Sequence, residues 1–137
     1  MTRPTLLIIG CGDVGMRVLR LLTPRWRVLA LTSSPERCAV LRAAGAVPLL
    51  GNLDEPATLG RLGQLADCVL HLAPPPNHGA DPAGDPRTRH LLQALARGGR
   101  VQRLVYGSTT GVYGDCGGAV FDETRAVHPA TARASVV

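Results

Sequence analysis

The sequence of 137 residues contains no lysine and very few aromatic residues. All 15 of its basic side chains are arginine, and the ten acidic residues leave a net charge of +5. The arginines are scattered along the chain, and aromatic residues make up only 3% of it. A nucleic-acid surface needs a concentrated basic patch with aromatic groups for base stacking. We therefore expect no nucleic-acid partner.

Disulfide, membrane and metal signals are also missing. The four cysteines have no C-x-x-C spacing and are too sparse for a secreted disulfide scaffold. No apolar run approaches the roughly 18 residues of a membrane span, and Gly10 interrupts the N-terminal apolar stretch where a signal peptide would continue. The four histidines lack metal-ligand spacing. These absences predict a cytoplasmic protein with no metal and no membrane partner.

The first apolar run leads directly into a glycine-rich turn. It is too short for a helix, and apolar residues at helical spacing follow the turn. The motif G-x-G-x-x-G places its glycines at Gly10, Gly12 and Gly15. In this context the first glycine allows the tight turn, the second lets the backbone approach a pyrophosphate, and the third lets the helix pack against the strand. Phosphates would then lie on the N-terminus of the helix. The residues predicted to contact them are Gly10, Gly12, Asp13, Val14 and Gly15.

Beyond the turn, strand-like and helix-like segments alternate. Strands are predicted at residues 5–9, 27–31, 46–50, 67–72 and 101–106, with helices between them. This alternation is typical of βαβ units. It predicts an α/β fold with a Rossmann-type parallel sheet of about five strands in the order 3-2-1-4-5, flanked by helices and incomplete at its C-terminal side. Pro48 suits the edge position that this order gives to the third strand.

Capping residues predict where the helices begin. Ser34 is expected to cap the second helix, with Pro35 at its first position. A short helix is predicted at 55–62, and a longer one begins at Asp85 and Pro86 and ends before two glycines. Residues 73–85 have the composition of a long loop, and residues 107–137 show no clear strand pattern. With no repeat and no second boundary, we expect a single domain over residues 1–137.

Two separated motifs make the sequence resemble a known family. The glycine motif at 10–15 and the segment LVYGSTTGVYGD at 104–115 are similar to the extended short-chain dehydrogenase/reductases, the NAD-dependent epimerase/dehydratase family. Residues 51–54 resemble the adenine-contacting turn of that family, residues 71–73 the end of its fourth strand, and residues 121–124 the acidic segment before its catalytic helix. The likeness covers nearly all of this chain but only about the first half of a family member. It implies an NAD(P)-binding domain of an epimerase/dehydratase-like reductase without the substrate-binding half.

The resemblance also implies roles for individual residues. Asn52 and Leu53 would contact the adenine, and Leu72, Ala73 and Ser108 would line the cofactor. Thr109 lies four residues before Tyr113, where the family has the Ser or Thr that orients the substrate, and it is the candidate catalytic residue.

The proton-transfer pair of the family is absent from this sequence. Its Tyr-x-x-x-Lys positions fall on Arg133 and Val137, and the chain has no lysine to supply the pair in any register. In the family the lysine stabilises the phenolate of the tyrosine, which can then exchange a proton near neutral pH. Arginine stays protonated and cannot replace that tyrosine. The departure leaves cofactor binding intact and argues against the usual hydride-and-proton catalysis.

The end of the second strand bears on the choice of cofactor. NAD-binding members place an acidic residue there for the ribose 2′-OH, whereas this chain has Thr32 and Ser33. Arg37 lies one helical turn further on, where it could meet a 2′-phosphate. The sequence favours NADP over NAD. Glu36 keeps NAD open, because a shifted loop could bring its carboxylate to the ribose.

Two non-catalytic functions also fit the sequence. The glycine motif, residues 36–45 and the chain length resemble the nucleotide-sensing Rossmann domain that regulates potassium transport. Such a domain binds a ligand without turning it over. The missing acid after the second strand and the motif at 108–114 argue against it. A redox-sensing relative of the reductases, which reads the NADP state, is the other alternative.

The open edge expected for the fifth strand favours self-association. In the resembled fold a sixth strand pairs with it, but here we expect its outer edge to be open. An unpaired edge carrying Leu104 and Val105 is a template for another strand, and an uncovered apolar face favours association. The expected partner is a second copy of this chain, joined through the side of strand five.

Overall fold

The computed structural model describes residues 2–77 and 84–136. The strands are β1 (Thr5–Ile9), β2 (Arg27–Thr32), β3 (Val47–Leu50), β4 (Cys68–His71) and β5 (Arg103–Tyr106). The α-helices within these ranges are α1 (Asp13–Leu22), α2 (Arg37–Ala43), α3 (Pro86–Gly98) and α4 (Ala132–Ser135). Short 3₁₀ turns occur at Pro56–Leu59, Leu62–Gln64 and Thr110–Tyr113.

The five strands form one sheet in the order β3-β2-β1-β4-β5, and every neighbouring pair is parallel. The predicted fold class and strand order are confirmed, and Pro48 lies in an edge strand as its missing N–H requires. The last residue of β1, Ile9, pairs with Leu31 on one side and His71 on the other. The chain reverses its direction of winding between β1 and β4, which opens a crevice at the carboxyl ends of these strands.

The core lies on both faces of the sheet. Alternate side chains of β1 point to opposite faces, and all five of its residues are buried. Leu7 and Ile9 belong to a cluster that includes Leu91 of α3. Ile8 belongs to the other cluster, with Leu19 of α1. A strand covered on both faces is apolar at nearly every position, which explains the continuous apolar run at residues 6–9 of this central strand.

The chain forms two compact units. The sheet unit comprises Met1–Pro74 and Arg87–Gly107, and the tail unit comprises Pro75–Pro86 and Ser108–Val137. In the tail unit Tyr113 packs edge-on against Phe121, with 4.9 Å between ring centroids, and Arg125 lies over the face of Phe121. Arg133 donates a 3.3 Å hydrogen bond to Asn77.

Two predicted helix positions are wrong. α2 begins at Arg37 with Glu36 as its N-cap residue, and no side chain caps it. Ser34 is instead part of a turn: its N–H donates to the Thr32 hydroxyl at 3.2 Å, and its carbonyl accepts from the Arg37 N–H. The hydroxyl competes with helix formation at this point, as is common for Ser and Thr near turns.

The segment 55–62 forms separate 3₁₀ turns rather than one helix. Gly60 lies between them, and glycine disfavours a continuous helix. No helix among the described residues is long and apolar enough to cross a membrane.

Candidate functional site

A cleft of about 400 Å³ lies in the sheet unit at the carboxyl ends of the central strands. This is the crevice where open α/β sheets bind their ligands. Nine of the residues predicted to bind the cofactor line it: Gly10, Gly12, Thr32, Ser33, Arg37, Asn52, Leu53, Leu72 and Ala73. These residues come from the carboxyl ends of the strands and from the segments that follow β1, β2, β3 and β4, so the fold brings four separate segments to one place.

The three glycines of the motif have three different surroundings. Gly10 has φ +80°, and a Cβ at this position would lie 2.5 Å from the backbone nitrogen of Ala73. A Cβ on Gly15 would lie 3.1 Å from the Cys11 sulfur and 3.3 Å from the Ile8 side chain, so this glycine permits close packing of α1 on β1. Gly12 faces the cleft, and nothing lies within 4 Å of its Cβ position. Of the three, only Gly12 has open space where a side chain would be, so a ligand can approach its backbone closely.

The N-terminus of α1 begins directly after Gly12. The first amides of a helix have no partner inside it, and the helix dipole makes this end attractive to anions. Asp13, Val14 and Gly15 supply those amides, although none of the three residues lines the cleft. The Asp13 carboxylate instead accepts a 2.9 Å hydrogen bond from Arg17 on the exposed surface of the helix.

Arg37 lies in the wall of the cleft at the start of α2. Its Nη2 donates a 2.9 Å hydrogen bond to the carbonyl oxygen of Cys11, which links α2 to the glycine turn. A guanidinium has five N–H donors, so this bond leaves others for a ligand. Burial raises the pKa of the Cys11 thiol above its ordinary value, and the charge of Arg37 offsets this only in part. A thiol in such surroundings is a structural residue rather than a reactive thiolate.

The turn after β3 forms the opposite wall. Leu53 is buried in the core beneath it. The Asn52 side chain accepts from the Asp54 N–H at 3.0 Å and donates to Glu55 at 3.0 Å. Asn52 therefore shapes its own turn, in the manner of an Asx turn. Leu72 and Ala73 follow β4 and close the cleft beside Gly10.

The cleft also contains residues that the sequence did not indicate, among them Pro74 and Arg87. Arg87 is the most informative, because it comes from α3 and pairs with Asp54 at 2.6 Å. A basic residue directly after the proline that begins a helix was the only signal for it, and surface arginines are common at such positions.

Ser108 and Thr109 belong to the tail unit rather than to the sheet unit. The Thr109 hydroxyl accepts a 3.2 Å hydrogen bond from the Gly111 N–H and caps the 3₁₀ turn at Thr110–Tyr113. This accounts structurally for a hydroxyl at that position, and its predicted catalytic role stays a prediction. In the part of the chain that the structure describes, no group of three His, Cys, Asp or Glu side chains could hold a metal ion.

Comparisons with known proteins identify similar sequences. Residues 6–74, just over half of the chain, match the TrkA-N domain family. A 4-hydroxy-2-methyl-3-oxo-4-farnesyl-3,4-dihydroquinoline-1-oxide ketoreductase from Stigmatella aurantiaca is 34% identical over 111 residues. That alignment covers 77% of this chain and 33% of the ketoreductase.

Solved structures show the same fold. A putative epimerase from Burkholderia cenocepacia J2315 is 25% identical with a TM-score of 0.72, over 98% of this chain and 48% of that one. A short-chain dehydrogenase/reductase superfamily protein from Agrobacterium tumefaciens with bound NAD has a TM-score of 0.73. It is 24% identical, over 96% of this chain and 41% of that one, and shows a likeness of fold alone. The chain thus spans a third to a half of these relatives, which confirms the predicted likeness to the N-terminal half of reductases and epimerases.

Proposed function

The chain belongs to the TrkA-N domain family, and from that membership we propose that its cleft binds an NAD(P) dinucleotide, with NADP preferred. In this proposal the chain is the cofactor-binding domain of an epimerase-like reductase. The ketoreductase relative, 34% identical, fits the reductase part of this proposal, and the NAD-bound structural neighbour shows that a protein of this fold can hold such a ligand. The site supports it independently, because the cleft lies at the crevice where dinucleotides bind in this class of sheet.

The division of roles among the three glycines is the observation that carries the proposal. Gly10 makes the turn, Gly15 lets α1 pack closely, and Gly12 leaves open space toward the cleft. The dinucleotide fingerprint needs these three roles in this order. A side chain at Gly12 would meet no protein atom within 4 Å, so packing within the chain does not account for a glycine at this position.

The preference for NADP rests on the wall after β2. Thr32 and Ser33 line the cleft where NAD-binding relatives carry a carboxylate, and Arg37 lies beside them. A 2′-phosphate carries negative charge and several acceptor oxygens, which suit a guanidinium with free donors. Glu36, the residue that kept NAD open, is the N-cap of α2 and does not line the cleft.

Gly12→Ala tests the proposal because its effect on the folding of the unbound protein can be measured separately from its effect on the affinity for the ligand. We expect unchanged folding, since the new Cβ enters open space, and weaker NADPH binding because it occupies the approach of the pyrophosphate. Gly60→Ala is the matched control, for its Cβ also meets nothing and Gly60 lies outside the cleft. In the unchanged protein, NADPH at about 100 times its Kd adds roughly 2.7 kcal/mol of stability, which thermal melting resolves.

The result against the proposal is equally concrete. If NADPH and NADH both fail to raise the melting temperature of the unchanged protein, the cleft does not bind a dinucleotide. If NADPH binds and Gly12→Ala affects binding no more than Gly60→Ala, the ligand lies elsewhere.

A regulatory, ligand-sensing domain is the second candidate function. The TrkA-N match fits it, and so does the absence of the Tyr-x-x-x-Lys pair from a sequence without lysine. Both candidates bind a dinucleotide, so turnover separates them. We propose that the chain by itself transfers no hydride to simple carbonyls. Steady NADPH oxidation that depends on Thr109 would favour the reductase over the regulatory domain as the function of this chain.

A further inference from the structure

One guanidinium joins two of the loops that form the cleft. Arg87 donates from Nε to Oδ1 of Asp54 at 2.8 Å and from Nη2 to Oδ2 at 2.6 Å. Its Nη1 donates to the carbonyl oxygen of Pro74 at 3.2 Å. Asp54 follows β3 and Pro74 follows β4, so a single side chain of α3 connects segments 20 residues apart. The two parallel bonds to Asp54 fix its orientation as well as its distance.

The neighbouring residues of α3 contact the same two segments. The His90 ring Nδ1 lies 2.7 Å from the Leu53 carbonyl oxygen, and the Thr88 hydroxyl lies 2.8 Å from Nε2 of His71. The start of α3 therefore holds the turn after β3 and the end of β4 together. Arg87 alone of these residues lines the cleft.

The position of the loop after β4 matters because it is already close to the glycine turn. The backbone nitrogen of Ala73 lies where it would be 2.5 Å from a Cβ on Gly10. Pro74, which Arg87 holds through its carbonyl oxygen, is the next residue. Because Ala73 is already in close contact with the glycine turn, a displacement of Pro74 would change the spacing between the loop after β4 and the turn after β3.

We infer that Arg87 is a positioning residue for the adenosine half of the dinucleotide, which it serves by holding Asp54 and Pro74 at the separation that the ligand requires. The inference rests on the proposed function. It assigns to Arg87 an effect on affinity that acts through the positions of these two loops. Its partly exposed pair with Asp54 contributes little to global stability, as is usual for such pairs.

The size of the effect follows from the fraction of time that the loops spend in the binding arrangement. If loss of the tether leaves them so arranged a tenth of the time, the apparent Kd rises about tenfold. The rise is the same for every ligand that contains the adenosine half. A ligand without adenosine is unaffected.

The test uses Arg87→Ala and, as a control, Arg100→Ala. Arg100 pairs with Asp67 at 3.0 Å in a similar partly exposed ion pair, at the opposite end of the strands. The ligands are NADP, ADP-ribose and nicotinamide mononucleotide, the last measured by competition. We expect Arg87→Ala to raise the Kd of NADP and ADP-ribose by equal factors, leaving nicotinamide mononucleotide unchanged. Arg100→Ala leaves all three Kd values unchanged.

Asp54→Asn tests the same inference independently, and it can be used if Arg87→Ala does not fold. It removes the charged partner of the same tether, so we expect the same pattern of Kd changes in smaller degree. In the double variant the factors do not multiply, because both substitutions break one connection.

Two results separate failure of this inference from failure of the proposed function. If the unchanged protein binds neither NADP nor ADP-ribose, the proposed function is wrong and this inference falls with it. If it binds both, and Arg87→Ala either changes no Kd or weakens all three ligands equally, only the positioning role is overturned.

Discussion

At the scale of single residues, the proposed dinucleotide site would give Arg37 two separable roles. Its hydrogen bond to the Cys11 carbonyl links α2 to the glycine turn and would support any dinucleotide bound there, whereas its remaining donors would serve a 2′-phosphate. The first role would affect NAD and NADP alike. The second would affect NADP alone, so the ratio of the two affinities isolates it.

We predict that Arg37→Ala weakens NADP binding more than NAD binding. A hydrogen bond to a charged group contributes about 1.5–3 kcal/mol, so the preference for NADP should fall by roughly tenfold or more. Calorimetric titration with both cofactors measures it. Arg42→Ala on the same helix is the control, because Arg42 is exposed and does not line the cleft. Equal losses for NAD and NADP would assign Arg37 to the turn alone.

At the scale of secondary-structure elements, Asp67 connects the starts of β1 and β4. Its carboxylate accepts from the Thr5 N–H at 2.9 Å and from Arg100 at 3.0 Å. The hydrogen bond from Arg100, followed by that from Thr5, holds the pKa of the Asp67 carboxyl below its ordinary value. A carboxyl whose pKa is lower in the folded state stabilises the fold above its unfolded pKa, and this contribution disappears as the pH falls through the folded pKa.

We predict that Asp67→Asn lowers the free energy of unfolding at neutral pH. As the pH is lowered, the free energy of unfolding of this variant should fall less steeply than that of the unchanged protein. The ordinary pKa of an aspartate is about 3.9, so the contribution of Asp67 is complete above that pH and is lost below it. Urea denaturation between pH 2 and pH 7 gives the comparison. Glu36→Gln removes an exposed carboxylate at the start of α2 and serves as the control. If the free energy of unfolding falls as steeply with decreasing pH in Asp67→Asn as in the unchanged protein, Asp67 does not make this contribution.

The same scale explains why α3 matters to the site more than its sequence suggests. α3 packs on the sheet through Leu91, Ala94 and Leu95, which recur at helical spacing. Its first turn also holds the loops of the cleft through Arg87 and His90. α3 thus connects the core to the candidate site. The spacing of its apolar residues indicates only that it packs on the sheet, and not that it holds the loops of the cleft.

At the scale of the whole molecule, β5 is an edge strand. In the described residues it pairs only with β4, and Leu104 and Val105 are 37% and 62% exposed. An edge with unpaired backbone groups and exposed apolar side chains is a template for another strand.

We predict that the chain self-associates through β5 and that Val105→Lys disrupts this association. Lysine on an edge strand opposes pairing with a second chain. Light scattering after size exclusion should give a mass above the 14.4 kDa of one chain for the unchanged protein and close to it for the variant. Val40→Lys changes a 54% exposed valine on α2 and should leave the mass unchanged. A monomeric unchanged protein at every concentration excludes the interface.

The amino-acid sequence determined the elements that depend on local pattern. Residues 6–9 of β1, directly before Gly10, are all apolar because the strand is covered on both faces, and this made the central strand recognisable. The alternation of strands and helices fixed a parallel sheet, and the missing N–H of Pro48 fitted the edge position. Local patterns failed at Ser34, where the Thr32 hydroxyl binds the Ser34 N–H and the helix starts later.

Only the tertiary structure decided which side chains meet across the cleft. The bond from Arg37 to Cys11 joins residues 26 apart in sequence, and the pair of Arg87 with Asp54 joins residues 33 apart. No periodicity or motif in the sequence indicates either contact, because each depends on where two segments lie after the sheet has assembled. Periodicity and turn chemistry act over a few residues, so they locate the strands and the glycine turn. The geometry that connects α3 to the cleft arises when the strands are placed side by side.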